Sequence, residues 1–278
     1  MDSVQRAEVG RRAFLHACAL DVEVRKPGNV SLASPGHGMH AGLFLASAAA
    51  AAGPISSAGR PVGERIEAAV RAAWRASGCN TNLGIVLLCA PLLAAFERSG
   101  PDVLRSTLDT VLQSLDVEDA RATYRSIALA HPGGLGRAPE QDVRGVPTLG
   151  LREAMGLAAE RDRIAWQYVH GHADVFELAL PVYLAAPDPA AGMQAAFLEL
   201  LATLPDSHIV RKHGDAMAQS VMAQARPWRA RVRRGEKVAD DPAFARWDQD
   251  LKERGLNPGT TADLGVATAL AAGLLAAA

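Results

Sequence analysis

A chain of 278 residues with 49% hydrophobic content can bury a sizeable core, and 30 acidic against 29 basic residues leave a net charge of −1. That balance gives no reason to expect nucleic acid or an anionic membrane surface as a partner. Aromatic residues make up only 5% while alanine fills whole stretches, which favours helix and close helix–helix approach over strand.

Apolar residues recur at helical spacing in nearly every segment, and no stretch sustains the alternation of a half-buried strand. The spacing predicts helices over about 4–22, 40–53, 61–77, 83–97, 102–114, 116–130, 150–185 with a break, 188–203, 206–224, 240–254 and 260–277. The expected fold is all-α, a single-domain multi-helix bundle over 1–278 with a buried central helix.

In the first helix, Arg6, Glu8, Arg11, Arg12 and His16 interrupt the apolar positions, so it reads as amphipathic and not as a signal peptide. Lys26-Pro27-Gly28-Asn29-Val30-Ser31 follows, a rigid turn that either presents Lys26 to a phosphate or simply ends that helix. His37-Gly38-Met39-His40 has no third soft ligand at a spacing that would suit zinc. The apolar run Ala41 to Ala52 is shorter than the ~20 residues that span a bilayer. Cys18, Cys79 and Cys89 show no CxxC spacing and sit in or beside apolar segments, so reduced thiols and a cytoplasmic location are expected.

Gly78-Cys79-Asn80-Thr81-Asn82-Leu83-Gly84 opens a segment, Gly84 to Leu93, that is apolar on all sides. It is the expected central helix, kinked near Pro91, with its N-terminal loop deep in the bundle. His131-Pro132-Gly133-Gly134-Leu135-Gly136 must be loop, and Asp142 beyond it is either a metal ligand or a surface carboxylate. Pro205 and Asp206 mark a helix start, after which His208, Arg211, Lys212 and Asp215 share one face while His213 turns toward the core. Two cations beside an imidazole and a carboxylate suit a phosphate ester or a self-paired salt-bridge face. The charge run Arg226 to Gly235 reads as a solvated connector. In Asn257-Pro258-Gly259-Thr260-Thr261-Ala262-Asp263-Leu264, Thr260 as N-cap with Asp263 three residues on would open a helix whose free N–H groups and dipole favour an anion. The Ala/Gly tail that follows is expected to be a buried helix and not a membrane anchor.

Lys26-Pro27-Gly28, Asn80-Thr81, Asp206 with Arg211-Lys212-His213-Gly214, and Pro258-Gly259 with Ala262-Asp263-Leu264 stand in one order and at characteristic separations. In this the chain resembles the triphosphoribosyl-dephospho-CoA synthase family almost end to end. The resemblance implies an all-helical enzyme with ATP as ribosyl donor. Adenine leaves, and the triphosphoribosyl group joins a ribose hydroxyl of dephospho-CoA in prosthetic-group biosynthesis. The chain departs from citrate-type members at Asn82-Leu83, where they carry His-Lys, and at Asn29-Val30-Ser31, which lacks their acidic residue. Two alternatives therefore stand beside dephospho-CoA: another acceptor in pterin-cofactor synthesis, and a non-catalytic nucleotide-binding protein.

The roles so implied are specific. Arg211, Lys212 and Lys26 meet the triphosphate, together with the loop positions Gly28, Asn29, Asn80, Thr81, Asn82, Gly84, Gly259, Thr260 and Thr261. Asp263, Asp206 and Asp142 are the expected Mg²⁺ ligands, Asp206 and Asp263 also stabilising charge at the anomeric carbon, with His208 the expected base. The expected partners are ATP and dephospho-CoA, with a homo-oligomer left open. All of this requires that motifs from Lys26 to Asp263 line one cavity.

Overall fold

Periodic, alanine-rich segments become helices almost everywhere. The computed structural model describes residues 1–136, 138 and 140–277; it is 68% helical, with 14 helices and no strand among the described residues. In chain order they are α1 (Ser3–Glu23), α2 (Ala41–Ile55), α3 (Val62–Ser77), α4 (Leu83–Ser99), α5 (Leu104–Gln113), α6 (Val117–Ala130), α7 (Leu151–Gly156) and α8 (Arg163–Val169). A π-helical turn (Asp174–Ala179) runs into α9 (Leu180–Leu184), followed by α10 (Pro189–Thr203), α11 (Ser207–His213), α12 (Asp215–Arg233), α13 (Pro242–Glu253) and α14 (Gly259–Leu275).

The all-round apolar helix is central, as its composition requires. Every residue of α4 from Leu83 to Glu97 is buried, and α1, α3, α5 and α14 pack around it. Removing one such side chain, Leu88→Ala for instance, costs about 2–5 kcal/mol through lost transfer energy and the cavity left behind. Glu97, the one acidic residue of α4, is tolerated in the interior because it pairs with Arg65 of α3 and accepts the Gly59 N–H at 2.7 Å.

Two apolar clusters meet across α10. Met193, Ala196 and Leu200 face the main core, while Phe197, Leu198 and Leu201 face a smaller one built with α11, α12 and α13. The last helix, α14, spans both, giving Ala262 to the smaller cluster and Leu264, Leu270 and Leu274 to the larger.

The structure corrects three sequence expectations. The helix expected over 206–224 breaks at Gly214, whose φ of +86° is open to glycine and lets its N–H close α11 on Val210 O. His213, expected in the core, is exposed, with Nε2 3.1 Å from Gly255 O. The arginine run is not a connector, because α12 continues through Pro227 to Arg233. There Arg233 forks onto Glu199 of α10 at 2.8 and 2.9 Å, and Arg231 binds Glu236 and Asp241 at 2.7 Å each. All three cysteines are free thiols. No single helix among the described residues is long and apolar enough to cross a membrane.

Candidate active site

The two apolar helices α4 and α14 begin side by side, and a glycine permits it. A Cβ at Gly84 would stand 2.0 Å from Asp263 Oδ2, so only a residue without a side chain lets that carboxylate press against the first turn of α4. Above this contact lies a cavity of about 380 Å³, within the range of small-molecule sites. Both helix N-termini, with their positive dipole ends, open toward it.

How Asp263 comes to face the cavity differs from the sequence reading. The helix starts at Gly259 after Pro258, with no side-chain cap of its own, so Thr260 and Asp263 do not form a capping box. The Thr260 hydroxyl instead receives a hydrogen bond from Ser207 at 3.1 Å. Capping comes from another helix: Asp206 accepts the Thr261 N–H and hydroxyl at 2.8 Å each, and the Ile209 N–H at 3.0 Å. With that work done by Asp206, the Asp263 carboxylate lines the cavity under the influence of burial and neighbouring charges, with no hydrogen bond among the described residues. Burial pushes its pKa well above the usual carboxylate range, and Asp21 and Asp206 push the same way against the pull of Arg211.

One wall is cationic and belongs to α11. His208, Arg211 and Lys212 line it, as their shared face predicts, whereas Asp215 lies beyond the break at Gly214 and stays exposed. Arg211 Nη1 is held at 2.6 Å by Asp162, whose other oxygen caps α8, while its Nε is buried without a partner. Lys212 is exposed and lies against Gly133 of the glycine loop. His208 has its pKa lowered to about 3, by burial first and then by Lys212 and Arg211, and its Nε2 is also buried and unpartnered.

A second wall carries the asparagines. Asn29 donates from Nδ2 to Asn257 Oδ1 at 2.9 Å, leaving its own Oδ1 buried without a partner. Asn80 accepts the Leu83 N–H at 3.2 Å, Thr81 donates to Ser47 at 2.7 Å, and the Nδ2 of Asn82 is buried and unspent. Facing them is an apolar side that includes Phe44, Leu87, Ile127 and Met155.

Most of the expected site residues therefore line one cavity: Asn29, Asn80, Thr81, Asn82, Gly84, His208, Arg211, Lys212, Gly259, Thr260 and Asp263. Four do not line it. Lys26 is fully buried, with Nζ 3.0 Å from Asp21 Oδ1 and bonded to the Asp21 carbonyl, so it backs the wall and has no reach to a phosphate. Gly28 is packed against Leu256 O, its N–H held by Asp248 at 2.9 Å. Asp206 and Thr261 are spent on each other.

The expected Mg²⁺ ligands are likewise not assembled. Asp206 faces away, and Asp142 lines the cavity but accepts the N–H groups of Ala138 and Arg144 in its own loop. No three His, Cys, Asp or Glu side chains among the described residues are grouped to hold a metal ion. Of the other lining carboxylates, Asp162 is bonded to Arg211 and Glu140 is exposed, while Asp263 and Asp21 are buried beside the cavity; Asp21 was missed. Its signal was an acid between Leu20 and Val22 on the buried stripe of an amphipathic helix. Two carboxylates suffice for Mg²⁺ where phosphate oxygens complete the shell, so the pair fits. Asp162 and Asn257 were also missed, since each looks like an ordinary turn residue in sequence.

A family profile, CitG, described as ATP:dephospho-CoA triphosphoribosyl transferase, matches residues 7–278. A crystal structure titled putative triphosphoribosyl-dephospho-coA synthase, from Archaeoglobus fulgidus, is similar with a TM-score of 0.68 and 24% identity, over 84% of this chain and 99% of that one. No curated relative matches the chain.

Proposed function

The chain belongs to the ATP:dephospho-CoA triphosphoribosyl transferase family, a transferase moving the triphosphoribosyl group of ATP to dephospho-CoA, and on that premise we propose how its cavity divides the work. The observation that carries the reading is a buried carboxylate, Asp263 of α14, pressed against the first turn of α4 in a cavity that Arg211 and Lys212 also line.

Triphosphate lies along α11. Lys212 and the free Nε of Arg211 meet it, and the buried Nδ2 of Asn82 adds a donor at the start of α4, where the dipole also favours an anion. Asp21 and Asp263 are the residues that would hold Mg²⁺, which when bound supplies positive charge against the phosphates.

In the transfer the bond from C1′ to the adenine nitrogen breaks, its electron pair leaves with adenine, and the acceptor hydroxyl oxygen bonds to C1′. Positive charge develops on the sugar meanwhile, and Asp263 in its ionised form stabilises it. His208 takes the hydroxyl proton, which balances the proton gained by adenine. Burial first, and then the neighbouring Lys212 and Arg211, hold His208 a poor base. A bound triphosphate offsets those two charges and makes the imidazole a better one. Catalytic readiness is thus coupled to donor binding.

The test is the leaving group. Protein incubated with ATP, Mg²⁺ and dephospho-CoA releases free adenine in proportion to the acceptor consumed, followed by chromatography. Release of ADP or inorganic phosphate in its place would sink the reading.

A further inference from the structure

Several polar atoms of residues lining the cavity have no hydrogen-bond partner, among them Asp21 Oδ1 and His208 Nε2, and the one on Asn29 does not suit the triphosphate. Arg211 Nε and Asn82 Nδ2 are donors, as a phosphate requires, but the atom left over on Asn29 is the acceptor Oδ1. In this arrangement Nδ2 donates to Asn257 Oδ1 at 2.9 Å, Asn29 is only 5% exposed, and Oδ1 is the atom left facing the cavity. Phosphate oxygens at neutral pH offer no proton to such an atom, so Asn29 would repel the anion it was expected to bind. The loop that carries it is also held from both sides. Asp248 accepts the Gly28 N–H at 2.9 Å, and His37 Nε2 lies 2.8 Å from Gly28 O. A buried acceptor in a fixed place costs free energy until a ligand donates to it.

We propose that Asn29, aligned by Asn257, is a specificity-determining residue that accepts a hydrogen bond from the 2′-hydroxyl of the ribose of ATP. This rests on the reading that ATP occupies the cavity, and it follows the placement of the charges there. Asp263, assigned above to the charge that develops on the sugar, marks the part of the cavity where C1′ reacts, and the 2′-hydroxyl stands on the carbon bonded to C1′. Asn29 lines the same cavity, three residues after the lysine that backs Asp21. The adenine amino group and the ribose of the acceptor are the competing donors.

Calorimetric binding without any acceptor separates them. Wild-type protein should bind 2′-deoxy-ATP about 10- to 100-fold more weakly than ATP, while inosine triphosphate, which lacks the amino group, and 3′-deoxy-ATP bind nearly as ATP does. Asn29→Leu should weaken ATP by a similar factor and remove the discrimination against 2′-deoxy-ATP. Asn29→Asp, which keeps the acceptor, should retain it and guards against a folding defect. Equal weakening of ATP and 2′-deoxy-ATP by Asn29→Leu overturns the proposal, as does a wild-type preference that follows the amino group or the 3′-hydroxyl. Failure of the functional reading looks different: discrimination would persist while no adenine is released.

Discussion

Two carboxylates meet the beginning of α14, and the protein treats them oppositely. Asp206 accepts three hydrogen bonds, ties α11 to α14 and does not line the cavity. Asp263 sits one turn into α14 and lines the cavity, and it accepts no hydrogen bond among the described residues. Burial raises the pKa of both, but only for Asp206 do neighbouring N–H and O–H groups pull it back down. The contrast teaches that a satisfied buried acid is architecture, whereas an unsatisfied one is held at a cost for a ligand.

The sharpest way to break the comparison is to neutralise each acid in turn. Asp263→Asn should cut adenine release by about 100- to 1000-fold, the range seen when a charge-stabilising group is removed from a reacting centre. Its melting temperature at neutral pH should rise. The sign follows from linkage: a carboxyl whose folded pKa is raised stabilises the fold only while protonated, and that contribution is lost as pH climbs through the folded value. An Asn avoids the loss. A variant that melts lower and retains turnover would erase the distinction.

Asp206→Ala should do the reverse. Leaving the Thr261 and Ile209 N–H groups without a partner costs about 1–3 kcal/mol, read as a lower urea midpoint, with turnover per folded molecule nearly kept. A turnover loss as deep as that of Asp263→Asn at unchanged stability would move Asp206 into the chemistry.

The smallest effect concerns a buried group outside the cavity. His172 is fully buried, with Nε2 3.1 Å from Leu88 O, and burial lowers its pKa to about 4. An imidazole with a depressed folded value favours the fold above the unfolded value of ~6.5, and that support fades as pH falls from there toward the folded value. Melting curves across that window should drop by a few degrees more for the wild type than for His172→Gln. Parallel curves would show that His172 does not titrate on unfolding.

Much of this was legible in sequence, and the limits are physical. Helix existence followed from periodicity, and α4 was placed at the centre because no face of it was polar. The break at Gly214 was not legible, because His208, Arg211, Lys212 and Asp215 keep helical spacing straight across it. Turn motifs pointed to Asn80, Asn82 and Gly259, which line the cavity, and also to Lys26 and Asp206, which do not. What those two residues do depends on Asp21 and Thr261, partners that only the folded chain brings to them. The exchange of capping between Asp206 and Asp263 was hidden for the same reason. Local sequence offers Thr260 as cap, and tertiary packing supplies a better one.

The close fit of Asp263 against Gly84 also has a consequence for how the protein is made. Asp21 and the asparagine loops emerge from the ribosome early, but the floor of the cavity waits for α14, which packs on α1, α4 and α10. Until that helix is synthesised and docked, the buried apolar surface of α4 lacks one of its covers and the cavity lacks the wall that Asp263 supplies. A chain interrupted before α14 therefore leaves exposed apolar surface that the finished fold buries.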